Sequence, residues 1–443
     1  MTETNNASFR PSVWSIAFPS IVVFLINTVA GVAIIKIVSD LGPAAVAAIT
    51  AGQRINFFSV ALIMGMGAAT TALVARAWGT QDKARAIAVT RLSMKLGLGV
   101  CILLAIAAIS LAKPLANFFQ LDDQSYTLAV DYIRLLSLFG PAQAVVLILS
   151  TSCRAVGDAK TPLFIGIFSN VIGVLGAYGF AYGQWGLPDL GVNGAAIGWG
   201  LSFCFSAGCY LVMWVKGYLL LPFTTELPLP KINLYRYMNI SLPTIVEQLI
   251  IQSAMMLDVG VIGVYGTQAF ATFGVGLNLF MVTMVIGMGF SIASSALAGQ
   301  ALGAGDIQGA LDSTKHALKL SSGAMTITGV FSAIFADDIA FLMVNDAETA
   351  EIVAQFIFTL AILQPLLAID FVLGGAMRGS GHTGFPLLAG LITVLGVRLP
   401  LASLVTELQL PIIWVFSVFI VDQSVKAALI AFRYRQKLWL VSK

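Results

Sequence analysis

The chain has 443 residues, 58% hydrophobic and only 10% charged, whereas a soluble globular protein carries roughly 25% charged residues. That balance excludes an ordinary soluble fold, and the formal net charge of +3 is too small to point to nucleic acid. Apolar stretches of about 20 residues, enough to cross a hydrocarbon core of about 30 Å, recur from Val13 to Phe432 with no room for a large soluble domain between them.

In chain order, twelve helical spans are expected near 13–38, 44–75, 92–112, 127–150, 162–184, 194–215, 238–263, 268–301, 318–336, 352–375, 386–405 and 411–432. The first dozen residues are polar and the first apolar segment is long, which favours a retained first span over a cleaved signal. Alternate connections carry bases: Arg76, Lys83, Arg85, Arg91 and Lys95, then Arg154 and Lys160, then Lys216, Lys231 and Arg236, then Lys315 and Lys319, then Arg378, with Arg433, Arg435, Lys437 and Lys443 in the tail. The opposite connections hold Lys113 but also Asp122, Asp123, Asp189, Asp337, Asp338, Asp346, Glu348 and Glu407. The positive-inside rule then places both termini in the cytoplasm, the chain being a multi-pass protein of the cell (inner) membrane.

Cys101, Cys153, Cys204 and Cys209 lie in or beside apolar spans without metal-ligand spacing. They read as small packing residues, with neither disulfide nor metal expected. The histidines are His316 and His382, both expected in cytoplasmic connections. No Ser-His-Asp set, HExxH motif or phosphate loop accompanies them, so an enzyme or an ATP-driven pump is not expected.

Shifting the sequence by 224 residues aligns residues 16–166 with the second half without a gap. Pro19 meets Pro243, Gly42 meets Gly266, and Ala77, Gly79, Asp82 and Ala86 meet Ala301, Gly303, Asp306 and Ala310. Pro141, Arg154, Gly157 and Pro162 meet Pro365, Arg378, Gly381 and Pro386. A fixed register of Pro, Gly, Arg and Asp marks a duplication. Six spans per copy give both copies the same orientation, related by a pseudo-two-fold axis along the membrane normal. The fold class expected is therefore an all-α polytopic membrane protein of two six-helix lobes, residues 1–215 and 238–443, joined by a linker over 216–237 that contains Pro222, Pro228 and Pro230. A cleft between such lobes suits alternating access.

The pattern Pro141…Arg154-Ala-Val-Gly157-Asp158…Pro162, repeated as Pro365…Arg378-Gly-Ser-Gly381…Pro386, resembles the signature of the multidrug and toxin extrusion (MATE) family. So does Leu41-Gly42-Pro43 leading into a long span that ends Ala-Arg-Ala-Trp-Gly79. The resemblance covers essentially the whole chain and is closer to the DinF-type than to the NorM-type branch. It implies an antiporter exporting organic solutes, often cationic or polyaromatic drugs, driven by inward H⁺ or Na⁺. Where DinF-type members carry an Asp fifteen residues after the first-span proline, this chain has Ile34, whereas the second copy has Asp258 fifteen residues after Pro243. Glu247 and Asp370 do not fall at the offsets of the NorM-type acids.

Charge inside a span costs roughly 3 kcal/mol and usually marks a partner or a pathway. Glu247, Asp258 and Asp370 have the repeat counterparts Val23, Ile34 and Val146, so the scaffold does not require an acid there. Glu247 and Asp258, eleven residues apart, share a helix face about 16 Å apart. Counted from the cytoplasmic bases, Glu247 and Asp370 lie at comparable depth and are the favoured coupling pair, suited to a proton or, with amide oxygens of Gln248 or Gln252, to Na⁺. Lys36 either pairs with Asp40 one turn on or faces the cleft, and Arg398 is open to pairing with Glu247, Asp370 or Asp422. Asn27 joins Lys36, Gln248, Gln252 and Arg398 as a cavity candidate, and Met281, Met284, Met288, Phe273, Phe280 and Phe290 either line that cavity or pack. Pro19 and Pro243 permit kinks, and the resemblance makes such bends part of gating. No cofactor is expected beyond the coupling ion. Partners are small organic solutes and lipid, and the chain is expected to be monomeric. The other open reading is a dedicated exporter or flippase of one metabolite or lipid-linked substrate.

Overall fold

The structure, a computed structural model, describes residues 11–223, 227–344 and 346–440. The chain's first residues, part of the expected linker, Lys443 and the side chain of Glu348 lie outside the described residues. All regular structure among the described residues is helical. In the first half these are α1 (Val13–Ser39), α2 (Pro43–Gly79), α3 (Lys83–Ser110), α4 (Ala112–Asn117), α5 (Asp123–Leu138), α6 (Gly140–Ala155), α7 (Lys160–Tyr182) and α8 (Gly191–Val215). The second half holds α9 (Leu234–Gly263), α10 (Thr267–Gly303), α11 (Ile307–Ile334), α12 (Ala336–Met343), α13 (Ala347–Gly379), α14 (Gly384–Thr393), α15 (Leu399–Glu407) and α16 (Ile412–Arg435).

Among the described residues eleven helices are long and apolar enough to cross a membrane, and α5 with α6, bent by 46°, pass the same test together, for a total of up to twelve spans. The bend falls at Gly140-Pro141, where proline removes a backbone donor beside a residue with little conformational restraint. The matching Pro365 sits inside the unbroken α13, preceded by Gln364, whose amide donates to the Leu360 carbonyl at 3.3 Å.

Polar caps set the helix starts. Asp82, Asp122, Asn233, Asp306 and Asp346 each accept a backbone N–H of the first turn of the following helix, satisfying donors that the helix itself leaves free. Several helices run past the expected spans at the basic end. Helix α3 starts at Lys83, α11 at Ile307, and α13 continues to Gly379. His316 therefore lies on α11, not in a connection, and the bases of these segments ride on helix ends.

The lobes meet through reciprocal contacts that follow the duplication. A Cβ on Gly79 would collide with the Gln300 carbonyl, and one on Gly303 with the Arg76 carbonyl. One step further in, Gly65 lies against Ile245 and Gly289 against Ile21. The remaining pair behaves differently: Gly52 faces Tyr132 and Gly276 faces Phe356, each within its own lobe. Core clusters repeat the division. The cluster around Tyr210, Trp214 and Tyr237 and that around Ile16, Phe290 and Val372 are shared by both halves. Those around Ile34, Ile49 and Tyr132, and around Ile262, Phe273 and Phe416, belong to one half each. The two halves thus touch through close glycine contacts at the end holding Gly79 and Gly303 and one step further in, whereas Gly52 and Gly276 pack within their own halves.

Candidate ion-coupling site

The polar interior of the second lobe is built from α9, α13, α16 and the break between α14 and α15. Helix α9 presents Glu247 and Asp258 on one face, 4% and 7% exposed. Asp370 of α13 is 8% exposed and Asp422 of α16 is 1% exposed. Each of the four carboxylates meets a base. Arg378 Nη1 donates to Glu247 Oε1 at 3.1 Å, and its other terminal nitrogen to Ser291 Oγ at 3.3 Å. Lys426 Nζ lies 2.8 Å from Asp370 Oδ2, which also accepts from the Gln423 amide at 3.3 Å. Arg398 Nη1 donates to Asp258 Oδ2 at 3.2 Å, while its Nε, at 3.0 Å, and Nη2 both hold Asp422 Oδ2. The Phe419 ring lies 5.0 Å from that guanidinium carbon, within cation–π range.

These pairs form one ladder. Asp422 and Lys426 are four residues apart on α16, one helical turn, which links the outer triad to the inner tetrad. Lys426 feels Asp370, Glu247 and Arg378 together. Gly374 lies between Asp370 and Arg378 on α13, and a Cβ there would be in ordinary contact with both, 3.4 Å from the guanidinium and 3.6 Å from the Asp370 carboxylate.

Arg398 reaches the ladder because its helix is broken. Residues Val394–Arg398 form a π-helical turn, while the matching α7 is a continuous α-helix. Pro400 supplies a cause, since its ring nitrogen cannot donate to the carbonyl four residues back. The extra residue accommodated by the wider turn changes the direction of Arg398, and such turns cluster at functional positions.

Glu247 and Asp370 do join one cluster, but each is bound to its own base, not held as a bare dicarboxylate. Arg378, assigned from the sequence to a cytoplasmic connection, sits in the last turn of α13. Helical side chains lean toward the N-terminus of their helix, so its guanidinium points back into the span. Arg398 pairs with Asp422, one of the three partners left open for it, and with Asp258, which was not among them. Lys36 pairs with Asp40 at 3.1 Å, both side chains largely exposed at 75% and 54%. Asn27 accepts from the Asn170 amide at 2.7 Å in the first lobe. Gln248 and Gln252 are half-buried on α9. Pro19 and Pro243 lie inside the helical runs of α1 and α9. Phe273 and Phe290 are buried in the packed cores, and Met281 is exposed. Cys101 and Cys153 are buried, Cys209 is half-buried and Cys204 exposed.

Sequence reasoning overlooked Lys426, although it falls inside the expected span 411–432. The cost of a charge in a span was the available signal, and it applies equally to Arg54 in α2 and to Asp131 and Arg134 in α5, all half-buried.

Eleven to twelve apolar spans among the described residues and a cluster of buried acids and bases inside the second half are the features of a polytopic membrane protein that handles charge within its spans. The MatE family model matches twice, over residues 19–179 and 243–404, the second match beginning 224 residues after the first, and the chain belongs to this family of multidrug and toxin extrusion transporters. It is a multi-pass transporter, not an enzyme. An uncharacterized transporter of Bacillus subtilis, YisQ, is 24% identical over 97% of this chain and 95% of its own length. A probable multidrug resistance protein of Thermotoga maritima, NorM, is 24% identical over 79% of this chain and 75% of its own. A solved structure described as the outward-facing conformation of a multidrug resistance MATE transporter superimposes with a TM-score of 0.90 at 20% identity, covering 96% of this chain and 95% of that one, so the two share a fold.

Proposed function

We propose that the protein is a secondary antiporter that exports organic solutes or drugs from the cytoplasm by alternating access, driven by inward H⁺ or Na⁺ through the carboxylates of the second lobe. One observation carries this reading: four buried acids and three bases form one cluster inside the second of two duplicated halves. The matching positions Val23, Ile34 and Val146 show that packing alone does not need the charges at Glu247, Asp258 and Asp370. A carrier must bind its ion and its solute in a single, switchable interior, and the buried acids of the second half offer the ion a place in it.

With the bases of the connections in the cytoplasm, the joined end of the lobes is cytoplasmic, both termini lie there, and the cleft opens outward. The family name of the Thermotoga maritima relative, a probable multidrug resistance protein, supports solutes of drug type. Lys36 and Asn27 contribute to the solute cavity from the first lobe, Gln248 and Gln252 from the second, and the chain works as a monomer.

The test is transport in proteoliposomes, with pH and Na⁺ gradients imposed separately and ethidium as the reporter. An imposed gradient of the coupling ion is expected to drive dye movement, and dissipating it with an ionophore to abolish that movement. Dye movement indifferent to both gradients would sink the antiport reading.

A further inference from the structure

Helix α2 divides by face. Gly52 meets Tyr132 in its own half, while Gly65 and Gly79 meet Ile245 and the Gln300 carbonyl of the other. At about 100° per residue, Arg54 falls about 20° from Gly65 and about 160° from Gly52, on the face turned to the second half. Helix α10 repeats the arrangement: Gly289 meets Ile21, and Asn278, the counterpart of Arg54, lies about 20° from it. Beside these close contacts the facing surfaces are sealed, with Ala61 and its counterpart Val285 buried. One turn further from Gly79 they are open: Phe57 and Phe58, and their counterparts Met281 and Val282, are all exposed.

Arg54 stands on this open stretch, half-buried, and its side chain makes no ion pair, hydrogen bond or ring contact among the described residues. It lies seven residues, about 10 Å, from the midpoint of the 37-residue α2, within a hydrocarbon core that extends about 15 Å either side of its centre. A charge at that depth calls for a cavity or a counter-charge. The acids of the spans do not supply one. On α9 the face that meets α2 at Ile245 carries Gln252, about 20° away, whereas Glu247 and Asp258 lie about 160° and 140° around the helix and are bound to Arg378 and Arg398. Asp370 and Asp422 are held by Lys426 and Arg398, and Asp40 by Lys36. Asp131 lies about 100° around α5 from Tyr132, the side chain that meets Gly52. Asn278, at the matching position of the other copy, donates to the Gly274 carbonyl at 3.0 Å, so the duplicated scaffold accepts an uncharged side chain there.

We propose that Arg54 is a specificity-determining residue that docks the acidic group of the exported solute, so that the protein prefers organic anions, a carboxylate on an aromatic body, to organic cations; this rests on the antiport reading and names its solute class. A guanidinium presents a planar fork of donors that takes a carboxylate through two parallel hydrogen bonds, and among the described residues no acid occupies that fork. The exposed rings of Phe57 and Phe58 and the thioether of Met281 offer an apolar, adaptable surface to the solute's body. A cation of the same shape would meet an uncompensated like charge instead.

A lipid headgroup offers related chemistry, because a helical side chain leans toward the N-terminus of its helix and a long one can reach the bilayer surface. The face decides for the solute. Arg54 shares its direction with Gly65 and Gly79, which touch the other half and not lipid.

The test uses the full-length protein in phosphatidylcholine nanodiscs and two matched dyes, fluorescein and its methyl ester, which keeps the ring system and loses the carboxylate. Fluorescence anisotropy, corrected for empty nanodiscs, is expected to show fluorescein bound about tenfold tighter, the scale of one charge-assisted hydrogen bond. Arg54→Gln should cut that preference below about twofold. Arg54→Lys, which keeps the charge, should retain part of it, and Arg134→Gln, which removes a half-buried base elsewhere in the same half, should retain all of it. Exchange of the lipid for phosphatidylglycerol should leave it intact. Equal binding of the two dyes by the wild type, a preference that survives Arg54→Gln, or one that vanishes in Arg54→Lys, in Arg134→Gln or in phosphatidylglycerol overturns the assignment. Proteoliposome transport separates this site from the antiport reading. Gradient-driven ethidium movement without any preference for fluorescein leaves antiport standing and removes the anion site. A preference abolished by Arg54→Gln, with neither dye moved by either gradient, does the reverse. Ethidium, which carries no acid, should move faster in Arg54→Gln, and slower movement of both dyes in that variant would reduce Arg54 to a structural residue.

Discussion

At the scale of single residues, the second lobe's charges divide by what lies opposite them. Removing one member of a buried pair strands the other, a loss of about 3–5 kcal/mol, while removing both costs far less. Glu247→Gln and Arg378→Gln are therefore each expected to lower the thermal unfolding midpoint in detergent, and the double substitution to recover most of the loss. Additive losses would mean that the 3.1 Å contact is not a coupled pair. Lys36 offers the contrast. Its pair with Asp40 is exposed at both ends, such pairs contribute about 0–1 kcal/mol, and Lys36→Ala should leave the unfolding midpoint unchanged. Any change in solute selectivity in that variant then reports on the cleft alone. The residue scale is also where the sequence was least legible. The acids stood out because their repeat counterparts are Val23, Ile34 and Val146, a comparison internal to the chain. Their partners did not, because an ion pair between α13 and α9 depends on the direction in which Arg378 leaves its helix, and spacing along a sequence carries no such direction. Lys426 shows the same limit: its partner lies 56 positions away, on another helix.

At the scale of elements, helix starts and one helix break determine what the site can do. Asp122 and Asp346 cap α5 and α13, and hydrogen bonds from Ser125 and Thr349 hold their carboxyls below the ordinary carboxylate value. A depressed folded-state value means that the cap stabilises the helix above the unfolded-state value and is lost as pH falls through the folded one. Hydrogen exchange in the first turns of α5 and α13 should therefore accelerate only at acid pH, below the usual range for an aspartate. In Asp346→Asn, which caps without titrating, that acid dependence at α13 should disappear. The π-turn before Pro400 is the second determinant. Pro400→Ala restores a donor and lets α14 and α15 join as one α-helix, with Arg398 rotated away from Asp422 because successive residues differ by about 100°. Turning Arg398 away strands the buried Asp258 and Asp422 carboxylates, which outweighs the relief of a proline inside a helix, so stability should fall, and gradient-driven transport should fall roughly tenfold, within the usual range of coupling energies. A variant with unimpaired coupling would show that the bulge is incidental. The elements themselves were legible: twelve spans follow from hydropathy, with ends displaced by up to eleven residues where polar caps extend a helix beyond its apolar core, as in α11. The break in α14 and α15 was not, because Pro400 reads equally as a kink or as a bulge.

At the scale of the whole molecule, the duplication makes the junction between lobes a paired device. Gly79 of α2 and Gly303 of α10 each admit the other helix's backbone at the joined end, and they are the same position in the two copies. Closure there depends on two missing side chains, so a side chain at either position obstructs the joined state by direct contact with a carbonyl. A rigid lobe cannot absorb that collision by local repacking, since the obstructing atoms are backbone within a helix. The lobes must instead rotate about their remaining contacts at Gly65–Ile245 and Gly289–Ile21, and a pivot at mid-height that opens one end closes the other. Repeat-related surface positions suit the measurement: Lys83 and Ile307 open α3 and α11 at the joined end, while Phe118 and Leu342 lie at the far end, 76% and 88% exposed. Cysteine spin-label pairs at these positions, in a background with the four native cysteines replaced, report the two separations independently. Gly79→Val with Gly303→Val is expected to lengthen the Lys83–Ile307 distance by on the order of 10 Å, one helix diameter, and to shorten the Phe118–Leu342 distance in the same sample. Both distances increasing would indicate lobes that separate without pivoting, and both remaining fixed in a folded protein would place the hinge elsewhere. Either result would remove the mechanical basis for alternating access, whereas opposite changes would tie the switch to the close contact of Gly79 and Gly303 at the joined end.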